Sequence, residues 1–327
     1  MRHKLRFTAF LLFLFSISFS QEGIPVYSDY LSDNYYLIHP SMAGAAKCAK
    51  LRYTARTQWL QEQEAPLLQT LTLNGHLGEK SGAGIILYND KNGFHSQKGI
   101  KMTFAHHIVF SRDDIDLNQL SFGINAGLIQ SQLDQTLFTE FDPIIDRTIQ
   151  QASYFNMDFG ASYNYENFYL HATLQGAIQT RRKLYTEFES KNLRKYLFSL
   201  GYLFGDNEKL LWEPSILYQA FDKTKERQID INLKLYKNIM DLSSIWTAVS
   251  YRRSFDKTKY NNTSSQRLEY LTPILGINIK NMVIAYTYSQ IIGAEKFDVS
   301  PYHQVTIGFN LFCNKDRYDC GCPALNF

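Results

Sequence analysis

The chain has 327 residues, with 34 Lys and Arg against 31 Asp and Glu and a formal net charge of +3. Arg2, Lys4 and Arg6 precede a mostly apolar run from Phe7 to Phe15, and Ser18-Phe19-Ser20 follows, the pattern of a cleaved secretory signal over residues 1–20. Removing those three cations leaves 31 against 31, a balance that excludes a basic nucleic-acid binder. No later segment reaches the roughly 18 consecutive apolar residues of a membrane helix. Aromatics nevertheless make up 15% of the chain, with 22 Tyr and 23 Phe, an excess suited to rings placed at two lipid–water interfaces.

Residues 21–49 form a periplasmic N-terminal segment rich in Tyr (Tyr27, Tyr30, Tyr35, Tyr36), expected to pack against the rim ahead of the first strand. Polar and apolar residues then alternate. In LSFGINAGL, Leu120, Phe122, Ile124, Ala126 and Leu128 share one face and Ser121, Gly123, Asn125 and Gly127 the other, a period of two that specifies a strand. The same reading places strands at 50–59, 68–77, 82–89, 99–110, 118–132, 156–165, 168–180, 196–204, 210–221, 228–237, 244–254, 267–279, 282–292 and 302–312. These are fourteen segments, an even number, each near the length that crosses a membrane at a tilt.

The connections alternate too. Those after even-numbered strands are mostly tight (78–81, 166–167, 205–209, 280–281), and those after odd ones tend to be long (133–155, 181–195, 255–266). The expected fold is therefore all-β, a transmembrane antiparallel β-barrel over 50–312 with short periplasmic turns and longer extracellular loops. A pair of soluble β-sandwiches is the alternative, and it predicts no such rhythm.

The search for catalytic chemistry is negative: HExxH, GxSxG and GxxxxGK[ST] are absent, and Gly82-Ala83-Gly84 opens a strand where a phosphate loop needs a helix. Ser254 to Lys257 fits S-x-x-K only by chance, at a strand end. His106 and His107 are adjacent on a strand, so they face opposite ways and cannot chelate one ion, and Asn261-Asn262-Thr263 is a formal glycosylation acceptor. No enzyme activity, cofactor or metal is expected.

Cys313, Cys320 and Cys322 lie in a periplasmic tail at 313–327, and Cys48 sits just before the first strand, so a closed barrel gathers all four at one rim. Three pairings are open; Cys320 with Cys322 is strained by their closeness in sequence. One or two disulfides pinning the tail are expected, with Cys48 a participant.

HPSMAG at 39–44, RTQWLQEQEAP at 56–66 and LYNDKNGF at 87–94 together resemble the PorP/SprF family of type IX secretion system membrane proteins from Bacteroidetes. The shared positions are Pro40, Ala43 and Gly44; Arg56, Gln58, Trp59 and Pro66; and Asn89, Asp90, Lys91 and Gly93. The resemblance implies a non-enzymatic outer-membrane barrel of the secretion and gliding-motility machinery. Its implied partners are a secreted surface adhesin with a C-terminal sorting domain, periplasmic secretion or peptidoglycan-linked components, and outer-membrane lipid. A diffusion channel or small-solute transporter is the alternative function.

Among these positions, Arg56 and Gln58 share a face at the outer end of the first strand, where an Arg fork can hold a partner's carboxylate or carbonyl. Trp59 points the other way. The plainer reading pairs Arg56 with a lumenal acid such as Asp90, Asp158 or Asp230 and puts Trp59 in the aromatic girdle. Asn89, Asp90 and Lys91 read as loop-capping first and partner-contacting second.

Overall fold

The computed structural model describes residues 28–59, 65–111, 117–136, 149–178, 194–206, 210–222, 224–240, 243–255, 258–260, 264–266, 268–292 and 301–313. Fourteen strands form the wall: β1 (Ala49–Thr57), β2 (Leu67–His76), β3 (Ser81–Asn92), β4 (His95–Val109), β5 (Asn118–Asp134), β6 (Ile149–Tyr165) and β7 (Phe168–Gln175) in the first half. The second half holds β8 (Lys195–Tyr202, resumed after Leu203 by Phe204–Asp206), β9 (Leu210–Phe221), β10 (Arg227–Met240), β11 (Ser243–Ser254), β12 (Glu269–Ile279), β13 (Met282–Ile292) and β14 (Tyr302–Leu311). A small hairpin, Thr258–Tyr260 with Ser264–Gln266, stands apart in the loop after β11.

Each strand pairs antiparallel with its neighbours in sequence. β1 pairs with β14 from Ala49↔Leu311 to Thr57↔His303, so the sheet closes on itself and leaves no edge. All fourteen expected strands are present, with shifted ends. β5 and β6 run on to Asp134 and from Ile149, which shortens the expected loop 133–155 to 135–148. The two-sided rhythm holds at most junctions. It fails at 93–94, where Gly93 at φ 59° makes a tight turn on the long-loop side, and at 110–117, a longer link on the turn side.

The alternation that makes the strands also orients them. Leu73, Phe104, Ile124, Leu128, Phe159, Leu233, Leu275 and Ile307 are exposed on the outer face, while Thr54, Thr72, Asn125, Ser162, Asn232 and Thr306 are buried inside. A soluble sandwich buries its apolar faces against each other. Here they circle the outside, as a wall facing lipid requires.

Cys48 and Cys313 are disulfide-bonded, 265 positions apart in sequence. One precedes β1 and the other follows β14, so the bond staples the closing seam at the turn-side rim. Cys320 and Cys322 lie outside the described residues. A cross-link closing so long a loop contributes about 2–4 kcal/mol through the unfolded chain. Reduction, or Cys48→Ser, is expected to lower the temperature at which the folded band disappears on semi-native gels; an unchanged temperature would contradict a stabilising staple.

The N-terminal segment departs from expectation. It does not sit against the rim but runs inside the barrel, where Asp29 through Ala43 are buried throughout. Three short 3-10 turns, Ser28–Leu31, Tyr35–Leu37 and Pro40–Met42, carry it. Asp33 at φ 56° and Gly44 at φ 66° turn the chain between and after them, and Pro40 opens the last. The physical reason is volume. Side chains fill an eight-stranded barrel, but a larger ring leaves a lumen that something must occupy.

Candidate functional site

The plug descends from the loop-side mouth, where Asp29 meets Gln304, to Cys48 at the turn-side rim. Polar wall residues receive it in sequence order. The Tyr30 hydroxyl donates to Asp230 Oδ2 at 2.9 Å and accepts from Asn232 Nδ2 at 3.1 Å. Lys234 donates to Asp33 Oδ1 and to the Leu31 carbonyl, both at 2.8 Å. Tyr35 lies 2.7 Å from the Tyr169 hydroxyl, and Tyr169 and Tyr236 donate to the two oxygens of Glu213 at 2.7 and 2.6 Å.

Lower down, Tyr36 reaches Thr103 at 2.6 Å, and Thr103 in turn donates to Asn125. His39 bridges Thr173 and Ser199 through its two ring nitrogens at 2.8 and 2.7 Å. Ser41 meets Ser162, and His107 Nε2 donates to the Ala43 carbonyl at 3.0 Å. These matched bonds between plug and wall mark an ordered seat rather than a chance occupant.

Glycines on the inner face make the seat possible. A Cβ at Gly82 would run into the Ala43 carbonyl, and one at Gly123 into Pro40 and Ser41, so plug backbone lies directly on wall backbone.

Electrostatics follow the same division. Burial alone would push the Asp33 carboxyl up, but Lys234, Lys50 and Arg52 together hold it below its ordinary value. Asp29 differs: burial raises it to about 6 against the opposing pull of Arg56, Gln304 and Arg252. Burial also holds the His39 imidazole well below its usual range, with His171 beside it adding to the effect, so it sits in the plug as a neutral ring.

The six residues singled out in the sequence separate into two groups. Arg56 and Gln58 are buried on the inner face, and Arg56, Leu68 and Asp90 lie in one row across β1, β2 and β3. The Arg56 guanidinium stacks on the Tyr302 ring at 3.9 Å. Asp158 and Asp230 are not its partners: Lys101 holds Asp158 at 2.7 Å, and Arg252 grips Asp230 with two bonds at 2.6 and 2.7 Å. The sequence order of these groups did not reveal which cation each acid faces across the strands.

Asn89 alternates away from Asp90 and donates to Gln69, which donates to Tyr53 on the outer face. Lys91 follows Asn89 by parity, and Trp59, at φ 52°, is exposed. The structure therefore brings Arg56, Gln58 and Asp90 to the lumen and leaves Asn89, Lys91 and Trp59 off it. His106 and His107 face opposite ways as expected, one exposed and one buried.

Missed entirely was the plug seat, Tyr30, Tyr35, His39, Glu213 and Lys234 among it. Two signals pointed there: the cluster of tyrosines ahead of the first strand, and glycines recurring on the polar face of β3, β5 and β6.

A search of curated proteins finds no sequence match. Among solved structures, the CymD monoaromatic hydrocarbon channel is similar with TM-score 0.48 and 8% identity, over 81% of this chain and 89% of that one. A Pseudomonas aeruginosa FadL homologue gives 0.44 and 6% over 80% and 89%. BamA from Haemophilus ducreyi lacking POTRA domains 1–3 gives 0.43 and 9% over 80% and 70%. At such scores they are loosely similar barrels. The family described as type IX secretion system membrane protein PorP/SprF matches residues 19–309. Taken with a closed fourteen-stranded wall that turns its apolar face outward, this match establishes the chain as a member of the PorP/SprF family, an outer-membrane barrel of the type IX secretion system.

Proposed function

We propose that the barrel serves secretion and surface anchoring of a cognate adhesin by binding its C-terminal sorting domain at the loop-side mouth. The observation that carries this reading is the filled lumen. A diffusion channel needs an open path, whereas an anchor needs a rigid closed body, and the chain's own residues 29–46 occupy the space through which solutes would pass. Arg56 and Gln58 lie at the outer end of β1, toward the loops, where a planar Arg fork suits a carboxylate or a strand carbonyl. The turn-side rim, with its disulfide, is left for periplasmic components of the secretion and gliding machinery.

Affinity capture of the detergent-solubilised barrel from its native outer membrane is expected to recover a large secreted protein. Arg56→Ala with Gln58→Ala is expected to reduce that recovery severalfold while the heat-dependent gel shift of the folded barrel persists. Recovery of no such protein by the unaltered barrel would end this reading.

A further inference from the structure

On the outer wall, across β4 to β8, lies a groove of about 640 Å3, within the ~300–1,000 Å3 range of small-molecule sites. Its sides are Phe104, Phe122, Phe159 and Phe198, all exposed, and its floor is Ala161 and Ala172. These two alanines face each other directly across β6 and β7, flanked in the same row by Phe122 and Phe198. Among the described residues it is the one place on the outer face where two alanines are opposed.

The plug explains the glycines behind this floor but not the alanines. Gly123 and Gly160 are paired and carry Pro40 on their inner side, so no side chain fits there. Ala161 and Ala172 point outward, where nothing inside the barrel limits their size, and the neighbouring rows carry Tyr163, Leu170 and Phe159. Their smallness opens space only toward the membrane.

Height and charge narrow the occupant. Ala161 and Ala172 each lie four positions from Tyr165 and Phe168, the strand ends that flank the 166–167 turn, about 13 Å along a strand, which places the groove in the periplasmic half of the apolar band. At its β4 corner His106 lines the groove and accepts or donates a bond with Ser81 at 3.1 Å, beside the exposed Lys80 of the β2–β3 turn. An apolar slot whose periplasmic corner carries the His106–Ser81 pair, with the exposed Lys80 next to Ser81 in the chain, matches one acyl chain with a phosphate above it. We propose that this groove is a specific site for a glycerophospholipid of the periplasmic leaflet, its acyl chain on Ala161 and Ala172 and its phosphate toward Lys80 and His106.

Native mass spectrometry of the whole protein, purified in mild detergent from its own outer membrane, tests this. One phospholipid per barrel is expected to survive purification. Ala161→Phe with Ala172→Phe is expected to cut retention at least tenfold, and Lys80→Ala with His106→Ala severalfold. Ala126→Phe, outward-facing but outside the groove, is expected to leave retention unchanged and reports whether a new outer ring alone disturbs lipid. A lipid-free barrel, equal retention after the alanine substitutions, or an acylated peptide in place of phospholipid would each overturn the proposal. None of these outcomes bears on the filled lumen, so adhesin anchoring stands or falls separately.

Discussion

In planar bilayers the intact protein is expected to show no steady open state, and a variant lacking residues 29–46 but retaining Cys48 is expected to conduct continuously. The argument begins with ring size. Sixteen- and eighteen-stranded barrels hold aqueous channels, and eight-stranded ones are filled by their own side chains. Fourteen strands lie between, and here the remaining space is taken by Tyr30, Tyr35, Tyr36, His39 and Met42 with their backbone. Removing them leaves a wall of hydroxyls, amides and charges that water will wet.

The sign of selectivity follows from the charges of that wall. Among the described residues of the wall, Lys50, Arg52, Arg56, Lys101, Lys195, Lys234 and Arg252 face inward against Asp90, Asp158, Glu213 and Asp230, seven against four and thus a surplus of three. Asp29 and Asp33 of the plug offset two of them. The opened pore is therefore expected to favour anions, which reversal potentials in a salt gradient measure. Should the truncated chain fail to assemble, Gly82→Leu with Gly123→Leu offers a second route, since each side chain would occupy plug space. A steady pore in the intact protein would refute the plug; a silent truncated barrel would mean that the loops close it.

The wall was legible in the sequence because a period of two states both that a residue is in a strand and which way it faces. The same parity separates Asp90 from Asn89 and Lys91, so their opposite placements followed from alternation alone. Register is another matter. Asp230 lies directly opposite Arg252, and Asp158 two strands from Lys101, pairings that appear only when strands are aligned. The plug was illegible for a different reason: three short turns, separated at Asp33 and His39 and followed by Gly44, have no period, so Tyr and His there carry no facing information. What betrays the plug is on the strands, at glycines where a lumenal side chain is expected. Gly82, Gly123 and Gly160 weaken a strand intrinsically, and their presence marks another backbone close by.

The largest loss from a single substitution is expected at the contact between Lys234 and Asp33. Both side chains are 3% exposed, 2.8 Å apart, and Lys234 also donates to the Leu31 carbonyl and lies over the Trp246 and Tyr236 rings at 4.1 and 4.5 Å. Lys234→Met keeps the stem but strands a carboxylate and a carbonyl in the lumen. Breaking a buried pair in this way costs about 3–5 kcal/mol, a large share of the ~5–15 kcal/mol that holds a typical fold together. Lys50 and Arg52 also lower the Asp33 pKa, so the lower part of that range is expected.

Adding Asp33→Asn to Lys234→Met removes the orphaned charge and is expected to recover part of the loss; a fully additive double variant would show that the pair is not coupled. The pH dependence has a definite sign. Because the folded Asp33 pKa lies below its unfolded value, its contribution is complete above the unfolded carboxylate range near ~3.9 and is lost as pH falls through the folded value. Urea unfolding followed by tryptophan fluorescence reads both effects, with Trp246 in contact with the substituted side chain. An unaltered midpoint in Lys234→Met would mean that the plug is not held by this ion pair.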